Sequence, residues 1–217
     1  MAVARAVAAA AATLPAAADY VVVGAGIVGI NIAAVLRAAA PRARIVVLDK
    51  EARVGAHASG RNSGVLHAGF YYSPDSLKAR LTREGNVWLH DYCTTRHLPL
   101  RRCGKLVVAT PDNYDGLEVL EARAAANGVP VERITAAAAA ARQPGVRTHR
   151  HALWSPTTSV GDPAAVLAAQ VADVTAAGVQ VACGAAVTGL DAGTTTSGGG
   201  VAVRVACADG TAVIQAG

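Results

Sequence analysis

The hydrophobic positions of residues 19–50 predict a strand, a helix and a second strand. Tyr20–Val23 is a short β-branched run, typical of a buried strand. Apolar residues then recur at helical spacing from Ile27 until Pro41 ends the helix. Ile45–Leu48 is a second β-branched run. The pattern therefore predicts a βαβ unit with parallel strands.

The turn between the first strand and the helix carries a glycine motif. Gly24, Gly26 and Gly29 have the spacing in which the glycines permit a tight turn, the approach of a pyrophosphate and close helix packing. The helix N-terminus adds free N–H groups and the positive end of a dipole. Asp49 follows twenty residues after Gly29, where a carboxylate accepts hydrogen bonds from an adenosine ribose and repels a 2′-phosphate. The motif thus predicts FAD or NAD rather than NADP.

Further helices and strands alternate along the rest of the chain. Periodicity and turn residues predict helices over 76–93, 115–127, 135–142 and 164–177, and strands over 104–109, 151–154, 179–190, 201–208 and 212–215, with 193–200 as a hairpin connection. In the first of these helices we expect Ser73 to be the N-cap. The predicted buried stripe of that helix is Leu77, Leu81, Val87, Trp88 and Leu89.

These elements predict an α/β fold, a Rossmann-like dinucleotide-binding domain with an inserted β-rich region. The expected division is an N-terminal extension over 1–18, a first cofactor-binding part over 19–92, a substrate region over 93–160, and a return to the cofactor-binding domain over 161–217. The segment 59–72 is rich in glycine and small polar residues. It is either an ordinary surface loop or a segment that wraps a phosphate or a ring system.

Composition narrows the class of protein. Of the 217 residues 53% are hydrophobic, but the excess is mostly alanine and valine, and no window has the roughly 18 strongly apolar residues of a membrane-spanning helix. The net charge of +5 comes from dispersed arginines without interleaved aromatic residues, which argues against nucleic-acid binding. Those arginines form a solvated face or attract an anionic small molecule.

The cysteines and the N-terminus bear on compartment. Four cysteines without a CxxC pair predict reduced thiols and neither a metal site nor a disulfide framework. Residues 1–18 are alanine-rich with one arginine and no acid before Asp19. They fit a transit segment or a disordered extension equally, so the expected location is mitochondrial or otherwise cytoplasmic.

Several segments resemble the L-2-hydroxyglutarate dehydrogenase/oxidase family, FAD-dependent enzymes of the D-amino-acid-oxidase-like superfamily. They are SGRNSGVLHAGFYY at 59–72, RCGKLVVA at 102–109, NGVP at 127–130 and SPTT at 155–158 with Asp162. The resemblance extends over essentially everything from Asp19 onward. It implies FAD as cofactor and oxidation of L-2-hydroxyglutarate to 2-oxoglutarate by hydride transfer to the flavin. A quinone, an electron-transfer protein or oxygen would then take the electrons.

The resemblance also implies roles for particular residues. His67 would be the base that removes the hydroxyl proton, with a purely structural histidine as the competing interpretation. Arg61, Tyr72 and Lys105 would bind a substrate carboxylate or the pyrophosphate, with Tyr72 and Lys105 as the predicted substrate-binding pair. The cofactor-binding set would be Gly24, Gly26, Gly29, Asp49, Lys50, Ser59, Arg61, Asn62, Ser63 and Val187.

Two alternatives stay open at this point. One is another flavoenzyme of the superfamily, of the glycerol-3-phosphate dehydrogenase or amino-acid oxidase type. The other is a non-catalytic nucleotide-binding remnant. It arises because family members continue beyond Gly217, so that we expect the C-terminal half of the family fold to be missing.

Overall fold

The computed structural model describes residues 14–193 and 200–217. Their helices are Ile27–Ala39 (α1), Leu77–Thr95 (α2), Asp115–Ala126 (α3), Ala136–Arg142 (α4) and Pro163–Ala176 (α5), with 3₁₀ turns at Ala58–Gly60 and Pro111–Asn113. Their strands are Ala17–Ala18 (β1), Tyr20–Val23 (β2), Ile45–Leu48 (β3), Val65–Leu66 (β4), Leu100–Arg101 (β5), Lys105–Val107 (β6), Glu132–Thr135 (β7), His151–Ser155 (β8), Ser159–Gly161 (β9), Gln180–Ala182 (β10), Ala186–Ala192 (β11), Val201–Cys207 (β12) and Gly210–Ala216 (β13). None of these helices is long and apolar enough to cross a membrane.

Contacts divide the chain into two compact units. The first unit contains Met1–Asn62 and Pro163–Gly217, and the second contains Ser63–Asp162. The domain bounds expected from the sequence, at residues 93 and 160, stay a prediction about which parts bind cofactor and substrate.

The first unit is built around the βαβ unit, which is confirmed. β2 and β10 both pair in parallel with β3, which gives the order β10-β3-β2. Successive side chains of a strand point to opposite faces. Ile45 and Val47 accordingly pack with residues of α1 and α5, whereas Val46 and Leu48 pack with an antiparallel sheet. All four residues of β3 are buried, which explains its continuous apolar run.

β1 extends the antiparallel sheet of β11, β12 and β13 by pairing in parallel with β13, so that the order among the described residues is β1-β13-β12-β11. The single strand predicted over 179–190 is wrong, because the chain leaves the parallel sheet after β10 and enters the antiparallel sheet at β11. Gly184, with φ of +67°, lies in this transition and donates its N–H to the carbonyl of Glu51 at 2.8 Å. Of the predicted hairpin connection, residues 194–199 lie outside the described residues. β11 and β12 pair antiparallel on either side of it.

The second unit contains two antiparallel three-stranded sheets among the described residues, with orders β6-β8-β7 and β4-β9-β5. Leu117 of α3 packs with Ala109 and Leu153. Further along, Ala124 packs with Phe70. The predicted helices α3, α4 and α5 and the strands β6, β8, β12 and β13 are confirmed with small differences at their ends. The sequence analysis did not predict five short strands, because strands of two to four residues show little periodicity. They are β1, β4, β5, β7 and β9.

Two predictions about α2 are wrong. Its N-cap is Ser76 rather than Ser73, because the Ser76 hydroxyl accepts a hydrogen bond from the Ala79 N–H at 3.2 Å. The predicted apolar stripe is not the buried face: Leu77, Leu81, Val87 and Trp88 are 49–65% exposed and Leu89 is half-buried. The buried residues are Ala79, Asn86, His90 and Cys93. A polar face can be buried here because its amide and imidazole find hydrogen-bond partners.

Candidate functional site

The turn into α1 has the geometry that the glycine motif predicts. Gly24 has φ of +106°, a region that residues with a Cβ rarely adopt. A Cβ on Gly26 would lie 3.0 Å from the Ser59 hydroxyl oxygen. On Gly29 it would lie 1.9 Å from the carbonyl oxygen of Gly24. The start of α1 therefore rests directly against its own entry turn, with no room for side chains.

Two side chains from other loops reach the start of α1. The Asp49 carboxylate accepts hydrogen bonds from the Ala25 N–H at 2.7 Å and from the Glu51 N–H at 2.9 Å. The Ser59 hydroxyl accepts a hydrogen bond from the Ile27 N–H at 3.0 Å. The first N–H groups of a helix have no partner within the helix, so Ser59 satisfies one that would otherwise be left to solvent or ligand, and Asp49 holds the turn just before the helix.

These groups fit the phosphates and ribose of a dinucleotide. Gly26 gives α1 no side-chain cap, and the first turn contains no acidic residue. An anion therefore meets the positive end of the helix without competition from a carboxylate in that turn. Asp49 uses one lone pair on each oxygen, and a carboxylate has about four acceptor positions. It can thus accept ribose hydroxyls as well.

The remaining residues predicted to bind cofactor have varied surroundings. Lys50 forms an exposed ion pair with Glu51 at 3.0 Å. Asn62 donates to the carbonyl of Ser59 at 3.2 Å and so holds the 3₁₀ turn that carries this serine. Val187 lies in β11 opposite Val205 and packs in the sheet core. The other two, Arg61 and Ser63, are exposed.

A cavity of about 240 Å³ lies in the second unit. It is lined by His67, Gly69, Tyr71, Tyr72 and Lys105. The segment after β4 supplies four of these residues, and β6 begins with the fifth. The residue predicted as base and the two predicted to bind substrate therefore share one cavity, although they lie up to 38 positions apart. Their roles stay predictions.

The charges around this cavity are positive. The Lys105 ammonium lies 4.4 Å from the centroid of the Tyr71 ring, and the Lys78 ammonium lies 5.9 Å from that of Tyr72. None of the five lining residues is acidic. Desolvation lowers the pKa of His67 below its ordinary 6.5, and the charge of Lys105 lowers that pKa further. The imidazole is consequently neutral near pH 7, and the cations attract a carboxylate.

Sequence reasoning missed a second polar cluster in the same unit. A cavity of about 210 Å³ is lined in part by Asn86, His90 and Arg102. Arg102 Nε donates to His90 Nδ1 at 3.2 Å, so the ring proton is on Nε2, which donates to the Ser159 hydroxyl at 2.9 Å. Desolvation, followed by the charge of Arg102, lowers the pKa of His90. Hydrophobic periodicity cannot identify such residues, because it counts polar positions as solvent-facing.

Comparison with protein families identifies the class of this fold. The family model described as "FAD dependent oxidoreductase" matches residues 19–217. The chain belongs to this family. The predicted cofactor FAD and the Rossmann-like FAD-binding fold are thereby confirmed.

The chain is also similar to curated proteins named L-2-hydroxyglutarate dehydrogenase, so the family resemblance is confirmed. It is 35% identical to the Escherichia coli protein over 174 residues, which are 80% of this chain and 41% of that protein. Identity is 42% to the human mitochondrial protein over 117 residues, or 54% of this chain and 25% of the relative. The Dictyostelium discoideum mitochondrial protein is 42% identical over 113 residues, which are 52% of this chain and 25% of that protein. The chain thus spans less than half the length of these relatives.

Solved structures support the fold alone, because their sequence identity is low. The FAD-bound L-alpha-glycerophosphate oxidase from Mycoplasma pneumoniae aligns with a TM-score of 0.77 at 21% identity, over 92% of this chain and 52% of that protein. Glycine oxidase from Geobacillus kaustophilus aligns with a TM-score of 0.77 at 20% identity, over 92% and 54%.

Proposed function

We propose that this chain carries part of the active site of an FAD-dependent dehydrogenase that oxidises L-2-hydroxyglutarate to 2-oxoglutarate. The single observation that carries the proposal is the cavity shared by His67, Tyr72 and Lys105. It combines a neutral imidazole, which can accept the hydroxyl proton of a hydroxy dicarboxylate, with a cation that can bind one of its carboxylates. The names of the similar curated proteins support the same substrate.

The reaction removes a proton and a hydride, together two protons and two electrons, from the carbinol group of the substrate. Lys105 binds a substrate carboxylate by charge and hydrogen bonding, and the Tyr72 hydroxyl donates a further hydrogen bond to it. Neutral His67 accepts the proton of the C2 hydroxyl, which favours departure of the C2 hydrogen as hydride. FAD, when bound, supplies the hydride acceptor. The single bond between C2 and its oxygen becomes a double bond as the O–H and C–H bonds break.

The first unit supplies the groups that would hold FAD. The N-terminus of α1 at Gly26 would bind the pyrophosphate, and Asp49 would bind the adenosine ribose. Ser59, held by Asn62, would offer a hydroxyl to the phosphates. Lys50, Arg61, Ser63 and Val187 stay in the proposed cofactor-binding set on the family resemblance.

The decisive experiment is visible absorbance of the purified chain, reconstituted with FAD and scanned before and after anaerobic L-2-hydroxyglutarate. We expect a flavin band that bleaches with the L-isomer and stays unchanged with the D-isomer. A flavin band that bleaches with glycine or glycerol 3-phosphate but not with L-2-hydroxyglutarate would contradict the proposed substrate. Absence of bound flavin would show that the activity needs sequence that this chain does not contain.

A matched pair of variants tests the role of His67. His67→Asn removes the proposed base, whereas His97→Asn changes an exposed histidine outside the cavity. We expect the first to slow bleaching about 100-fold or more, in the range of general-base contributions, and the second to leave the rate unchanged. Equal rates in both would assign His67 a structural role only.

Two finer points belong to the same proposal. The electron acceptor would be a quinone, an electron-transfer protein or oxygen, and oxygen uptake against dye reduction would separate these. A mitochondrial location draws on the composition of residues 1–18 and on the names of the eukaryotic relatives. A fusion of residues 1–18 to a fluorescent protein that stayed in the cytosol would count against it.

A further inference from the structure

Two buried asparagines contact the segment that lines the candidate substrate cavity. Asn86 lies in α2 and is 6% exposed, and Asn127 follows α3 and is 4% exposed. Neither residue lines the 240 Å³ cavity itself. Both carboxamides donate to backbone carbonyls, so they act on where the chain runs rather than on which side chains it carries.

Asn86 holds the beginning of this segment. Its Nδ2 group lies 3.3 Å from the carbonyl oxygen of Leu66, 3.1 Å from that of His67 and 3.2 Å from that of Thr157. The backbone of the proposed base is therefore tied to α2 and to the turn between β8 and β9.

Asn127 holds the other end of the segment. Its Nδ2 group lies 3.3 Å from the carbonyl oxygen of Gly69 and 3.1 Å from that of Tyr72. Arg123 Nη1 donates to the Tyr71 carbonyl between them at 2.8 Å. Three successive lining residues of the cavity are thus fixed through their carbonyls from the C-terminal end of α3.

The segment also lies too close to α2 to shift in that direction. Gly69 has φ of +98°, and a Cβ on it would lie 3.2 Å from the backbone nitrogen of Arg83 and 3.3 Å from the carbonyl oxygen of Ala79. Arg83 Nη1 in turn donates to the Asn127 carbonyl at 2.7 Å. Loss of either carboxamide would leave partly or fully buried carbonyls without this donor, which favours a rearranged segment over the native one.

We propose that Asn86 and Asn127 are positioning residues that set the path of residues 66–72 and so the places of His67, Tyr71 and Tyr72 around the cavity. That the cavity takes a 2-hydroxy dicarboxylate rests on the proposed function. The effect on the segment itself rests only on the hydrogen bonds described above.

The test uses the full chain with Asn86→Ala and Asn127→Ala, which remove the donors without adding charge. The matched control is Asn113→Ala. This asparagine is exposed, and its Oδ1 accepts from the Thr110 N–H at 2.8 Å in an unrelated turn. The readout is the imidazole NMR signal of His67, assigned with His67→Asn and followed against pH and against added L-2-hydroxyglutarate.

We expect the pKa of His67 to move towards 6.5 in both test variants, because a displaced segment relieves its desolvation and its proximity to Lys105. The ligand-induced shift should saturate at about tenfold higher concentration, as for the loss of one or two hydrogen bonds. The control should match the unmodified chain in both titrations. Test variants that fold and titrate like the control would overturn the proposal.

Two further outcomes are informative. Should ligand leave the His67 signal of the unmodified chain unchanged while the pKa still differs among the variants, the proposed substrate fails and the positioning role stands. Should the alanine variants not fold, Arg123→Ala replaces them. Arg123 is half-exposed, and its substitution removes the donor to the Tyr71 carbonyl. We expect this variant to shift the pKa of His67 in the same direction by a smaller amount. An unchanged pKa would refute the positioning role.

Discussion

Two glycines within helices predict opposite effects of the same substitution. Alanine is favoured over glycine in a helix interior by about 0.8–1 kcal/mol. Gly85 lies in α2, and a Cβ there would meet no atom within 4 Å. Gly29 lies in α1, and a Cβ there would lie 1.9 Å from the carbonyl oxygen of Gly24. We therefore expect Gly85→Ala to stabilise the chain and Gly29→Ala to destabilise it.

The magnitude for Gly29→Ala follows from what must move. Relief of the clash requires about 1 Å or more between α1 and the Gly24 backbone, an overpacking that costs typically about 1–3 kcal/mol. The Gly24 N–H is bonded to the carbonyl of Leu48 at 2.7 Å, so its displacement also disturbs the end of β3. After the gain in helix propensity, the net loss should be about 1 kcal/mol or somewhat more.

Urea unfolding followed by far-ultraviolet circular dichroism measures both variants on the same scale. We expect the midpoint of Gly85→Ala to rise and that of Gly29→Ala to fall, with similar slopes. An equal rise in both would mean that α1 does not lie against its entry turn, and the steric account of the third motif glycine would be refuted. An equal fall would instead mean that helix propensity does not decide the effect at Gly85.

Further predictions follow from contacts in both units. Gly104→Ala should destabilise by about 2 kcal/mol or more, because φ is +65° and a Cβ would lie 2.0 Å from the Trp154 ring; tryptophan fluorescence in urea reports it. Ser59→Ala should cost about 1 kcal/mol by freeing the Ile27 N–H, measured by urea midpoint, while Ser59→Thr should restore most of it. Burial and a nearby cation lower the pKa of His90, so between that pKa and 6.5 the unfolded chain binds more protons than the folded one. Stability should therefore fall as pH decreases through 6.5 and level off above it, and His90→Asn should show a smaller pH dependence.

The parts of the fold that follow from sequence are those with a strong local pattern. β3 is apolar at every position because two layers cover it, and the spacing of Gly24, Gly26 and Gly29 follows from close contacts within the same forty residues. The division of 179–190 between two sheets was not predictable in the same way. Val181 and Leu190 both fit a strand, and only the pairing of Val181 with β3 and of Leu190 with β12 separates them.

The candidate site shows the same limit at the level of side chains. The family resemblance predicts roles for His67, Tyr72 and Lys105, and the imidazole, phenol and ammonium groups of these residues suit a hydroxy acid. Asn86 and Asn127 have no such signature, because an amide on a helix or at its end is expected to face solvent until its acceptors are known. Their partners are carbonyls 19–71 positions away in the chain, which side-chain identity does not record. Residues that hold the backbone of a site are therefore predictable only after the fold has brought the donor and the acceptor together.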